Sequence, residues 1–159
     1  MDIRCFLEKC FPQTVYEFRI FNEMREVSKF EKMKQYLLTL AENVKYTFGI
    51  WDFAITPVEF IELIETYHNI DHLDIYRSSF LEFNEEIKID KEVIFKIKGI
   101  DFRCSNGLTL SKMEVLVKEM AKNPTLIKCL QYVWIAGTKL QVGKVQMLFT
   151  QNKFNVIIC

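Results

Sequence analysis

Few side chains in this sequence have the type and spacing that catalysis or metal binding demands. Its two histidines, His68 and His72, stand four residues apart, the spacing at which two imidazoles on one helix face can share a metal ion. No H-E-x-x-H motif accompanies them, so no metal is expected. The acids Asp71 and Asp74 flank His72 and could in principle relay a proton, but one histidine beside acids reads more simply as a solvated group. Five cysteines, Cys5, Cys10, Cys104, Cys129 and Cys159, include no C-x-x-C pair. Their odd number points to reduced thiols in a reducing compartment. There is no G-x-S-x-G elbow, kinase signature, G-x-G-x-x-G run or Walker sequence. The expectation is a non-enzyme with no catalytic residue and no cofactor.

Composition favours a different chemistry, the burial of aromatic and cationic side chains against another protein. Apolar residues make up 50% of the 159 positions and aromatics 14%, with only 5 Gly and 3 Pro, the profile of a packed chain. The 21 basic and 21 acidic residues cancel, so no global field draws nucleic acid or an anionic membrane to it. A neutral chain rich in Phe is poorly protected against self-association, which makes a stable protein partner the expected remedy. No stretch approaches the apolar length of a transmembrane helix. The first eight residues carry acids and no long apolar run, so no secretory leader is expected and the cytoplasm is the default location.

The elements that would position these side chains recur. Apolar residues alternate with polar ones in Ile70-x-x-Leu73-x-Ile75-x-x-Ser78-x-Phe80, and again from Leu130 through Val133, Ile135 and Thr138 to Leu140. Matching first positions are Val15, Lys45, Ile70, Ile97, Leu130 and Phe154, a mean step of roughly 28 residues. Each unit reads as a strand and then a helix. Strands are expected at 15–21, 45–51, 70–76, 97–103, 130–136 and 154–159. A helix over Ser28–Glu42 would turn Phe30, Met33, Leu37, Leu38 and Ala41 inward. Thr56-Pro57 opens another that carries Phe60, Ile61 and Ile64 to the core. Ser111 and Glu114 form a capping-box signature ahead of Met113, Leu116, Val117 and Met120, and Asn123-Pro124 stops that helix. A shorter helix follows Leu140 with Val145, Leu148 and Phe149, and a leading helix over 2–11 ends at Pro12. In segment 81–92, Asn84-Glu85-Glu86 is polar while Ile87-Lys88-Ile89 alternates like a strand. No linker interrupts the series, so residues 1–159 read as one domain.

Those units resemble the leucine-rich-repeat family, in its helix-containing type found in ribonuclease inhibitor. The best match is Leu130–Leu140, followed by Val142-Gly143-Lys144-Val145. Glu23 and Phe53 stand where the family has asparagine, and Ser78, Ser105 and Thr138 are small polar substitutes. Lys45 occupies a core position, and Gly107 stands where an apolar residue belongs. The resemblance implies an α/β solenoid of five to six degenerate repeats, with a curved parallel sheet on the concave face and helices on the convex face. In that register Tyr16, Arg19, Phe21, Tyr46, Trp51, Asp71, His72, Asp74, Tyr76, Arg77, Asp101, Arg103, Tyr132 and Trp134 face the open sheet. Exposed Trp, Tyr and Arg are the types that dominate protein interfaces. The strand 154–159 would leave an apolar edge, with Val156 and Ile158 offered to a partner or to a second copy of the chain. The expected function is a protein-binding module or a structural subunit of a larger assembly. The alternatives are an inhibitor or GTPase-activator type of enzyme regulator, and a small α/β enzyme with a closed pocket around His72 and Asp74.

Overall fold

Period-2 patterning builds a parallel sheet here, one strand at a time. The computed structural model describes residues 15–21, 34–82 and 85–159. Strands β1 (Val15–Phe21), β2 (Val44–Trp51), β4 (His72–Asp74), β6 (Gly99–Asp101), β7 (Tyr132–Trp134) and β8 (Ile157–Ile158) lie side by side in chain order, every adjacent pair parallel. A second, two-stranded parallel sheet joins β3 (Ala54–Ile55) to β5 (Ser79–Phe80). Backbone hydrogen bonds run on past the short central strands. Ile75 N–H donates to Asp101 O, Phe102 N–H to Trp134 O, and Ile135 N–H to Cys159 O. The stacked contact is thus nearly as long as the runs the sequence predicts, although the regular strands are shorter.

Alternate residues of the sheet point into one apolar cluster. Phe48, Leu73, Ile100, Val133 and Ile158 are register partners and all are buried; Ile50, Ile75, Phe102 and Ile135 form a second buried row. One predicted core position is corrected. Lys45 is exposed and Val44 is buried in its place, because β2 carries one extra residue between its pairings with Val15 and Glu17. Such a bulge re-aims the side chains on either side of it.

Among the described residues five helices return the chain between strands: α1 (Lys34–Ala41), α2 (Pro57–Thr66), α3 (Leu110–Met120), α4 (Pro124–Cys129) and α5 (Val142–Gln151). The leading helix expected over 2–11, and the part of the Ser28–Glu42 helix bearing Phe30 and Met33, lie outside the described residues, as does the Leu38 side chain. Helix α2 opens on a reciprocal cap. Glu59 N–H donates to Thr56 Oγ1 at 3.2 Å, and Thr56 N–H donates to Glu59 Oε2 at 2.7 Å. Pro57 adds no unsatisfied N–H, and Phe60, Ile61, Leu63 and Ile64 are buried.

Helix α3 begins two residues earlier than Ser111 suggests. Thr109 is its cap, accepting from Lys112 N–H at 3.2 Å. Glu114 therefore falls past the capping position and pairs with Lys118 at 2.6 Å. Helix α3 ends at Met120 with Ala121 as its cap, short of the expected stop at Asn123-Pro124. Asn123 instead starts α4, with Oδ1 accepting from Thr125 and Leu126 N–H while Nδ2 donates to Asp90 O and Val93 O. That buried side chain ties down segment 85–96, whose Ile87, Ile89 and Phe95 are buried without regular structure. Val145, Leu148 and Phe149 of α5 are buried as predicted. No helix among the described residues is long and apolar enough to cross a membrane.

Tyr67 links α1 to the sheet. Its ring stacks on Phe48 with centroids 3.8 Å apart, and its hydroxyl donates to Leu37 O at 2.7 Å. Burial pushes its phenol pKa well above the usual value. Tyr67→Phe keeps the stacking and removes the donor, so urea unfolding should show a loss of about 1 kcal/mol with an unchanged m-value.

Candidate protein-binding face

The side of the sheet opposite the apolar rows carries its own rows, set by the same register. Thr47, His72, Gly99 and Tyr132 pair across one line; Arg19, Gly49, Asp74, Asp101 and Trp134 pair across the next. Phe21 pairs with Trp51 on a third line. That line continues toward Tyr76 through the bond from Asp52 N–H to Tyr76 O.

Rings on these lines touch. Phe21 meets Trp51, and Trp51 meets Tyr76, each at 4.6 Å between centroids. The Arg77 guanidinium carbon lies 5.6 Å from the Tyr76 ring centre. A second chain of rings runs from Tyr46 to His72 (5.4 Å), on to Trp134 (6.0 Å) and then Tyr132 (5.7 Å). His72 and Trp134 meet over Gly99, where a Cβ would sit 2.6 Å from each ring. Gly49 plays the same part for the charged line, since a Cβ there would crowd Arg19 Cγ at 3.1 Å and Asp74 Cβ at 3.2 Å.

Between the two chains of rings lies a charged floor. Arg103 clamps Asp101, donating from Nε at 2.8 Å and Nη2 at 2.6 Å to Oδ2 while its backbone N–H donates to Oδ1. Asp74 is less well served. Its Oδ2 accepts from Trp51 Nε1 at 2.9 Å and from Arg19 Nε at 3.4 Å, and its Oδ1, also buried, accepts nothing. Desolvation raises the Asp74 pKa, and the adjacent Asp101 charge adds to that; Trp51 and Arg19 pull the other way. The charged floor lines a cleft of about 250 Å³ together with Glu17 and three rings of the second chain, Tyr46, His72 and Trp134.

Most of the predicted surface is therefore assembled on one side, with corrections. Phe21, Tyr46 and Tyr132 are exposed, while Trp51, Tyr76 and Trp134 are half-buried by their neighbours' rings. Asp74 and Asp101 are buried, at 7% and 8% exposure, because Trp51, Arg19 and Arg103 cover them. Arg77 pairs with Asp52, Nε to Oδ1 at 3.0 Å, and not with either floor acid. Tyr16 is exposed on β1 beside the bulge, outside these lines. His68 follows α2 and bonds to Glu65 O, so it shares no helix face with His72 in β4.

Val156 and Ile158 are not an accessible apolar edge. Ile158, not Ile157, pairs with Val133, a one-residue shift from the repeat register that turns Val156 and Ile158 inward and leaves Ile157 58% exposed. The polar edge is occupied too. Gln146 of α5 donates from Nε2 to Val156 O at 2.9 Å and accepts from Ile158 N–H at 3.3 Å.

Gly49, Gly99 and Gln146 are the contributors that a reading by residue type passes over. An isolated glycine inside a strand pattern does signal close approach of neighbours, and both glycines carry that signal. A larger cleft of about 450 Å³ lies between turn 105–110 and residues 139–144, lined by none of the predicted site residues. Cys104, Cys129 and Cys159 are free thiols, and burial pushes the Cys129 pKa up to about 11, far from that of a thiolate nucleophile. No family profile, no curated protein and no solved structure matches this chain.

Two measurements probe this face. Gly99→Ala should force His72 and Trp134 apart, red-shift the tryptophan emission and cost about 1 kcal/mol of stability. Asp74→Asn tests the buried carboxylate. The folded chain holds the Asp74 proton more tightly than the unfolded chain does, so this group's contribution is fully present at low pH and lost as pH rises through the folded pKa. Asp74→Asn should therefore melt no lower than wild type at pH 7. Its advantage should shrink as the pH is lowered and Asp74 takes up its proton.

Proposed function

We propose that this chain is a leucine-rich-repeat-like solenoid acting as a non-catalytic protein-binding module or structural subunit, with the ring-lined sheet face as its docking surface. Two observations support the solenoid. Strands add in parallel and in chain order. A left-handed residue also recurs at Asp52 (φ 62°), Arg77 (φ 52°), Cys104 (φ 59°) and Gly137 (φ 76°). Each stands at one fixed offset from Lys45, Ile70, Ile97 and Leu130, the first positions of the sequence repeat. The turn is rare for non-glycine residues, so its recurrence in register favours one structural unit used repeatedly.

One observation carries the functional reading: two chains of aromatic rings bracket a charged floor on a rigid sheet. Tyr, Trp and Arg on a preformed surface lose little entropy on binding and supply most hot-spot energy. A stable complex would cover about 800 Å² of each partner, enough to take in both chains of rings. The free thiols agree with a reducing compartment such as the cytoplasm.

Affinity purification of the full chain from its native source, followed by titration of the co-purified protein, tests this reading. Trp51→Ala and Trp134→Ala should each weaken the complex by about 2 kcal/mol, roughly 30-fold, with the fold retained by circular dichroism. A complex indifferent to both substitutions would overturn the assignment of this face.

A further inference from the structure

We propose that the partner inserts one lysine or arginine side chain into the cleft over Asp74, displacing Arg19 and donating its terminal N–H groups to the Asp74 carboxylate. The inference rests on the reading of this face as protein-binding and names the chemistry of what docks there.

The carboxylate itself makes the case. The Asp74 side chain is only 11% exposed, yet among the described residues nothing donates a hydrogen bond to Oδ1. Buried polar atoms in native proteins are paired almost without exception, and an orphan one marks a place where a donor is missing. Asp101 stands directly opposite on the next strand, and like charges in that position repel. Neither cation of the floor serves Asp74 alone. Arg103 is spent on Asp101, and Arg19 is shared with Glu17 at 2.9 Å. Among the cleft's lining residues carboxylates outnumber guanidiniums three to two.

The walls favour the same occupant. Trp134, Tyr46 and His72 present ring surface beside the acids, the setting in which a cation gains from aromatic faces as well as from its counter-charge. At about 250 Å³ the cleft is below the range usual for drug-sized ligands, about 300–1,000 Å³. One long side chain fits that scale. An anion would meet the excess carboxylate, and an apolar group would leave Oδ1 unpaired. Arg19 reaches Asp74 across Gly49 by one 3.4 Å contact, the longest in the cluster, and is the side chain that yields when a better donor arrives.

The experiment is selection of a random linear peptide library on the full chain, followed by titration of the selected peptides with three changes. These are Trp134→Ala in the protein, Asp74→Asn in the protein, and citrulline for arginine or norleucine for lysine in the peptide. The expected result is binders that need Trp134 and contain an invariant basic residue. Neutralising that residue should cost about tenfold or more on wild type and about twofold or less on Asp74→Asn, the coupling expected of a direct charge pair. Should Asp74→Asn fail to fold, the peptide substitution on wild type still decides. Binders that need Trp134 but tolerate the neutral residue would overturn this inference and leave the docking face standing. Absence of any binder sensitive to Trp134→Ala would overturn both.

Discussion

Parallel pairing governs this molecule. A parallel neighbour cannot be reached by a hairpin; the chain must leave the sheet, travel back and re-enter at the same end. Each crossover therefore needs a return segment, and the return segments α2, α3 with α4, and α5 are the helices that supply one wall of the core. Their caps decide where each return begins. Thr56, Thr109 and Asn123 each satisfy backbone N–H groups that a buried helix start would otherwise leave bare. The core is then a by-product of chain routing: Phe48, Leu73, Ile100 and Val133 meet because every strand re-enters at one level.

The same routing fixes the opposite surface. Across β2, β4, β6 and β7 each residue lies directly beside its register partner, so side-chain types at one level of the strands become a row across the sheet. Phe21 and Trp51 share one line and lead to Tyr76 as one chain of rings. The second chain, Tyr46, His72, Trp134 and Tyr132, draws on more than one line, and the charged residues share the line of Trp134. Interruption matters as much as repetition. Gly99 breaks a row, and the gap lets His72 touch Trp134; Gly49 breaks another and lets Arg19 reach Asp74. Contacts that skip a strand lock three strands together where a regular row would couple only two.

What could be read from the residues follows from the range of the interactions involved. Period-2 alternation and helix starts are local, so Leu73-Asp74-Ile75, Thr56-Pro57 and the Met113, Leu116, Val117, Met120 face were all legible. The ring-bearing face was legible for the same reason, as the polar half of that alternation. Register was not. An extra residue in β2 moved the core from Lys45 to Val44, and a one-residue shift at β8 turned Val156 and Ile158 inward. Both depend on the neighbouring strand, which no local pattern encodes. Capping at Thr109 in place of Ser111 was a contest between two nearby hydroxyls, and the start of the helix was settled by packing of α3. The burial of Asp74 was equally invisible, since Trp51 and Arg19 arrive on it from other strands; Asp101 is covered from its own strand end by Arg103, two residues on.

Gln146 has a meaning beyond neatness at β8. A primary carboxamide offers a carbonyl acceptor and an NH2 with two donors, and one of those N–H groups lies on the same side as the oxygen. Bound to Val156 O and Ile158 N–H, it makes the two bonds that the N–H and C=O of one residue on an additional parallel strand would make. The sheet is thus terminated by mimicry, with the last helix supplying a counterfeit neighbour. Termination of that kind is reversible in a way that a charged or proline-bearing edge is not. One rotamer change in one glutamine withdraws the counterfeit, and the ladder regains the capacity to grow.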